Sequence, residues 1–324
     1  MNWSNIFLSA LEPYTRNKNT GNVYEIAVAL ELIRKMGIPN SAFDQQRAVI
    51  ETIITYNTRR GTSNKGPAIR KLFEDIRTKP VGTGLSFDGK IILCVECITQ
   101  EDNKGSTGDF LLHYTASNFL SLSVTGGIVK ADGTIEKCIS NPTCKRYGCT
   151  PEDIENFKSI AKNAVEPYKK YMTENYGSDQ SIWPRVSTPI AVNACSEVAK
   201  IAAERFPKDS DKKRAMLNDI LHITGTDKPA DCLAVVHNKN MDIRYFKFGS
   251  LKVNPTEDIK LVAEGIWLVF KIGDSSVGKT QVKFNNGVYH NGKTSSLTSS
   301  WNANFNLTDL FEMNSVNALP PSTS

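Results

Sequence analysis

A change of hydrophobic period in the first third of the chain constrains the fold more than any other feature. Val23, Ile26, Ala27, Leu30 and Ile33 recur at helical spacing, and Gly37 stands where a C-terminal cap belongs. A shorter helix is expected near residues 68–76, after a basic, Gly-containing stretch at 59–66. The texture then turns extended. Residues 91–99, 110–114 and 119–125 are short runs of β-formers separated by Gly, Asp, Asn and Ser. A helix face and a strand face each need an apolar partner, so the two kinds of element are expected to pack as layers.

The middle of the chain is helical again. Thr150-Pro151-Glu152-Asp153 combines a capping hydroxyl, a first-turn proline and acids at the positive end of the helix dipole, and it starts a long helix toward Tyr176. Further helices are expected at 190–205 and 211–223, where they could cover the sheet of the first third. From Cys232 onward the chain reads as mostly extended, with turn signals at 238–240, 285–287 and 291–292. The expected class is α/β: a central mixed sheet flanked by helices, with a β-rich C-terminal part. The expected division is 1–231 and 232–324, the second part either separate or continuing the same compact domain.

With 324 residues, 40% of them hydrophobic and 23% charged, the chain can bury a substantial core. No apolar run approaches the roughly 20 residues that span a bilayer, and residues 1–11 lack the pattern of a secretory signal. The expectation is a cytoplasmic protein without a membrane partner. Seven cysteines, an odd number at low density, suit reduced thiols better than a disulfide framework. The formal net charge of +5 permits a polyanionic partner without requiring one.

Two motifs compete for function. Residues 273–280, Gly-Asp-Ser-Ser-Val-Gly-Lys-Thr, match the phosphate-binding loop of nucleotide hydrolases. That loop works between a strand and a helix whose first amides hold the phosphates. Here Gln281-Val282-Lys283-Phe284 alternates like a strand, so a loop between two strands is expected instead. The second constellation involves acids on strands. Asp109 opens the run Phe110 to Tyr114, and Ser121 and Ser123 fall on one face of the next run. Glu96 lies with Cys94 and Ile98 on one face of an otherwise apolar segment. A carboxylate buried there needs compensation, and a divalent cation shared with Asp109 would supply it.

This arrangement resembles the PD-(D/E)XK nucleases, in particular type II restriction endonucleases, over about residues 20–130. In that family a helix carrying a glutamate precedes the sheet, an aspartate opens one strand, and an acid-x-lysine triplet lies on the next. Glu25 matches the helical glutamate, Asp109 the strand aspartate, and Ser121-Leu122-Ser123 occupies the triplet. The resemblance implies a restriction-type endonuclease that cuts double-stranded DNA, with Mg2+ held by Glu96 and Asp109 and a homodimer that cuts both strands. The triplet lacks both its acid and its lysine, and the lysine would steady the charge that develops on phosphate. Lys104 is the first substitute, on a Gly-rich loop beside Asp109, followed by Lys130 and Lys137. Lys145 and Arg146 in a basic loop, and Trp301 and Asn302 in a polar aromatic stretch, are the expected DNA contacts. The alternatives are a DNA-binding protein that does not cut, and a nucleotide hydrolase acting through residues 273–280.

Overall fold

The computed structural model describes residues 20–37, 66–97, 109–139, 144–183, 189–213, 230–237, 242–252, 259–284, 289–290, 293–294 and 303–319, with single positions at 44, 51, 55, 297 and 301. The chain is an α/β protein whose contacts divide it into two compact units that interleave along the sequence. Unit 1 comprises residues 1–137, 223–251 and 311–324, and unit 2 comprises 138–222 and 252–310. The expected boundary at residue 231 therefore falls inside a segment of unit 1. Among the described residues, no helix is long and apolar enough to cross a membrane.

Unit 1 is organised around helix α1 (Thr20–Lys35), which ends on Gly37 at φ +104°, a backbone angle that suits glycine at a helix stop. From Val23 to Arg34 every residue is buried except Glu25, which is half-buried. The apolar stripe that identifies the helix understates this, because α1 is enclosed on all sides. Its C-terminal half packs near helix α2 (Gly66–Thr78) and caps it. The Arg34 guanidinium donates to Lys79 O at 3.0 and 2.8 Å and to Arg77 O at 3.1 Å, satisfying carbonyls at the end of α2.

The hairpin of strands β1 (Leu85–Phe87) and β2 (Lys90–Ile92) turns on Asp88-Gly89, both at positive φ (50° and 71°), the mirror-image turn that suits the twist of paired strands. Strands β3 (Cys94–Cys97), β4 (Phe110–His113) and β5 (Phe119–Val129) follow as an antiparallel meander. The end of β5 turns into β6 (Ile135–Ile139). On its other edge β5 pairs in parallel with β7 (Cys232–His237), which pairs with β8 (Ile243–Leu251). The outer edge is β15 (Phe311–Val316), and β16 (Ala318–Leu319) joins β1. One face of this mixed sheet, carrying Val95, Phe110, Leu112, Leu120, Leu122 and Ala234, forms the core with α1.

In unit 2 the short turn Cys144–Tyr147 leads to helix α3 (Pro151–Tyr176). The expected start of α3 is realised as a full capping box between Thr150 and Asp153. The Asp153 carboxylate also receives two nitrogens of Arg205 at 2.9 to 3.0 Å. Arg205 ends helix α4 (Pro189–Arg205), so one carboxylate fastens the start of one helix to the end of the next. That bidentate bond holds Asp153 well below the usual carboxylate range, at about 2. Helix α4 packs on β9 (Ile259–Glu264) and β10 (Trp267–Ile272), so it covers strands of the C-terminal third rather than the sheet of the first third.

The antiparallel order is β9-β10-β11-β14, with β11 at Ser275–Gln281 and β14 at Ala303–Asn306, and a small hairpin joins β12 (Tyr289–His290) to β13 (Lys293–Thr294). The phosphate-loop pattern is thus the turn and second strand of the β10–β11 hairpin. No helix amides follow Lys279, whose ammonium lies 5.0 Å from the Trp267 ring. The glycine of Gly278-Lys279-Thr280 serves packing: a Cβ there would stand 2.5 Å from the Phe305 ring. Thr280 is fully buried, and its hydroxyl has no partner among the described residues.

Two expectations follow for unit 2. Replacing Thr280 by Val removes an unsatisfied buried hydroxyl and should stabilise the protein by about 1 kcal/mol in denaturant titrations, whereas a phosphate loop would be ruined by that change. Asp153 is shifted below its unfolded value of about 3.9, so its contribution is present above about pH 4 and is lost as pH falls toward 2. Acid unfolding monitored by circular dichroism should show this loss over that interval, and Arg205→Ala should remove it.

Candidate functional site

The sheet of unit 1 presents a polar row on the face away from α1. Strand alternation puts Leu120, Leu122 and Val124 on the core side and Ser121 and Ser123 on the other. Two aspartates bracket this row, each opening a strand beside β5. Asp109 precedes β4, and its Oδ2 accepts from the Val124 amide at 2.6 Å and the Ser123 hydroxyl at 3.3 Å. Its own amide donates to Leu122 O at 2.8 Å. Asp231 precedes β7. Its Oδ2 accepts from the Ser121 amide and hydroxyl, both at 2.9 Å, and its amide donates back to the Ser121 hydroxyl at 2.9 Å.

Pairing register decides which residues face Asp109. Phe110 lies opposite Leu122, so Asp109 is level with Ser123 and the triplet in register with it is Ser123-Val124-Thr125. The sequence-based triplet, Ser121-Leu122-Ser123, is displaced by two residues. In either register hydroxyls occupy the places of acid and lysine. Thr125 is buried, and its hydroxyl lies 3.3 Å from Gly126 O.

Glu96 corrects the second expectation. Its side chain is 57% exposed rather than buried, and its Oε2 lies 2.6 Å from His113 Nε2, whose N–H it accepts. Its direct cross-strand partner is Leu111, so His113 and Asp109 are its two diagonal neighbours, each about 7–8 Å away between backbones. The carboxylate turns to the imidazole, a donor, rather than to a second carboxylate. The core opposite is supplied by Val95, so Glu96 needs no cation to offset burial.

The remaining expected residues do not converge on Asp109. Glu25 sits on α1, which packs against the other face of the sheet. Lys104 lies outside the described residues, as do Asn302 and the side chains of Arg146 and Lys137. Lys130 is seven residues beyond Ser123, roughly 23 Å along an extended strand, and it is ion-paired with Glu136 at 2.7 Å. It therefore cannot complete the site. Trp301 is fully buried between Tyr147 and Phe157, with ring centroids at 5.4 and 6.3 Å, so it is a core residue of unit 2 and cannot stack on bases. Lys145 is exposed, as expected.

The donor set does not fit magnesium as it is arranged. Such an ion needs one or two carboxylates directed at a common point with room for its waters. Asp109 is engaged by backbone and hydroxyl, Glu96 is turned to His113, and hydroxyls fill the triplet. Among the described residues no three acidic, histidine or cysteine side chains gather closely enough to hold a metal ion. The cysteines offer no substitute: Cys94 and Cys97 belong to β3, while Cys144 and Cys149 lie in unit 2, where burial pushes the Cys149 thiol up to about 12. The arrangement instead does a structural job, fixing the strand openings of β4 and β7 to β5 through charged acceptors.

Asp231 was not legible as a partner of Ser121, which lies 110 residues away. Its only signal is position, an aspartate directly before the apolar run Cys232 to Val236, as Asp109 stands before Phe110 to Leu112. Comparison of the chain with protein families, curated proteins and solved structures finds no match.

The two serines should differ in weight. The Ser121 hydroxyl both donates to and accepts from Asp231, whereas Ser123 makes one long bond, so Ser121→Ala should cost about 1–3 kcal/mol and Ser123→Ala under about 1 kcal/mol. Equal losses in urea melts would remove the Asp231 lock.

Proposed function

We propose that this chain binds double-stranded DNA on a nuclease-like sheet and does not cut it. The observation that carries the reading is the register of Asp109 on Ser123. A helix precedes the sheet, an aspartate opens one strand, and the adjacent strand carries the triplet, as in the nucleases the sequence resembles. Hydroxyls stand where the acid and lysine of a cutting site belong. The hydroxyls of this row already donate to Asp231, Asp109 and Gly126 O, so the row supplies neither a cation nor a spare donor to stabilise an attack on phosphate.

The surface supports contact with phosphates point by point. Taken by itself, unit 2 carries exposed cations with no ion-pair partner among the described residues, Lys145, Lys162, Lys170 and Lys200, interspersed with acids such as Glu155 and Glu197. Binding of this kind is sequence-independent and weakens steeply with salt. The phosphate-loop alternative loses its ground, because residues 275–281 form a strand.

A second reading, a magnesium-dependent endonuclease, is favoured by one observation: Glu96 stands one diagonal from Asp109 and needs only to leave His113 to bring a second carboxylate toward it. One pair of experiments separates the readings. A duplex of about 25 base pairs should be retained in gel shifts, and Lys145→Ala should lower the salt dependence by about one ion. Long mixed-sequence DNA should stay intact with and without magnesium. Discrete magnesium-dependent fragments that disappear in both Asp109→Ala and Glu96→Ala would establish the endonuclease instead. Neither ATP nor GTP should be hydrolysed, and Lys279→Ala should change nothing.

A further inference from the structure

Cys144 and Cys149 are buried in unit 2 at the two ends of one turn, and the DNA reading uses neither. The Cys149 amide donates to Cys144 O at 3.3 Å and the Gly148 amide to Lys145 O at 3.0 Å, with Gly148 at φ +95°. These nested bonds around a left-handed glycine make a Schellman turn, which brings the side chains at its two ends into contact. In most such turns that contact is apolar; here it joins two thiols. A carbonyl and an amide this close hold the two Cα atoms within about 7 Å, the reach of a disulfide. The thiols also sense each other: burial raises the Cys149 thiol to about 12, and Cys144 is the next cause. Cys94 and Cys97 are denied such a bond, because residues three apart on β3 face opposite sides of the sheet.

We infer that Cys144 and Cys149 are a modification site, closing into a reversible intramolecular disulfide when the chain meets a hydroperoxide. The class of oxidant follows from burial. The two residues are 1% and 5% exposed, so a water-sized peroxide reaches the sulfurs where a bulky organic disulfide does not.

Cys144 is the attacking group. Burial raises its thiol too, but the amides at 144 and 145 and the Lys145 ammonium favour its thiolate. The Cys144 thiolate attacks one peroxide oxygen, the O–O bond breaks, and the departing hydroxide takes up the thiol proton as water, leaving a sulfenic acid. The Cys149 sulfur then displaces the sulfenic hydroxyl, the Sγ–Sγ bond forms, and the Cys149 proton leaves in a second water. The two thiols lose two electrons in all, and one peroxide takes them. Burial keeps the thiols largely protonated at neutral pH, so the first step is slow, while the second joins groups already in contact.

The native full chain, treated with hydrogen peroxide, blocked with iodoacetamide and digested with trypsin without reductant, tests this. Cleavage after Lys145 and Arg146 cuts inside the closed loop, so the disulfide should hold peptides 138–145 and 147–158 together until dithiothreitol separates them. Of the seven thiols, two should be lost. The linked pair should vanish in Cys144→Ala and in Cys149→Ala and persist in Cys138→Ala, whose residue shares the first peptide. No linked pair after peroxide, a link that survives Cys144→Ala, a link that needs Cys138, or one that forms only in urea would each overturn the inference. The peptide map of the unmutated chain stands without any variant. Its readout is mass, so none of these outcomes bears on the DNA reading.

Discussion

The fold of unit 1 depends on one carboxylate buried in a helix. Glu31 sits within an apolar stretch of α1 and is only 4% exposed, so leaving it unpaired would cost several kcal/mol. The Tyr245 hydroxyl donates to it at 3.1 Å and Lys79 at 2.7 Å. Burial, reinforced by this carboxylate, pushes the Tyr245 hydroxyl well up, so it remains a donor. Those partners come from β8 and from the end of α2, so α1 is satisfied only when the sheet and the second helix are both in place. Apolar burial supplies most of the stability, while this node selects one arrangement of α1 among the many that would bury its leucines and valines.

The same economy of charge appears at the strand openings. Asp109 and Asp231 hold β5 from both edges by accepting backbone amides and serine hydroxyls, which fixes register where a slip would turn every side chain to the wrong face. A carboxylate committed to backbone amides is a poor ligand for a metal. The position that resembles a catalytic aspartate is thus explained by local architecture, and the reading as a binder follows from what surrounds it rather than from the aspartate itself.

Local signals in the sequence reached local structure. Gly37 ends α1, Thr150-Pro151 starts α3, and the alternation after Thr280 correctly denied the phosphate loop its helix, because each depends on residues within one turn. Non-local facts stayed hidden. The enclosure of α1 requires partners as far away as Tyr245, the orientation of Glu96 depends on His113 across a strand pair, and the burial of Trp301 depends on Tyr147 and Phe157. Register between β4 and β5 is set by the turn at 114–118, so the two-residue displacement of the triplet could not be read from spacing.

The interleaving of the two units sets an order on synthesis. Strand β15 covers the outer edge of β8, β16 closes the β1–β2 hairpin sheet, and Lys35 of α1 is anchored on Ala318. Unit 1, which contains α1, cannot close until residue 319 has left the ribosome, while residues 138–222 and 252–310 of unit 2 emerge earlier. The partners that enclose α1, namely α2, β3, β5, β7 and Tyr245, all precede residue 252, so what waits for residues 311–319 is the outer edge of β8 and the anchor of Lys35. A chain that reaches only residue 310 therefore carries β8 as an open strand edge, and pairing with β15 removes it.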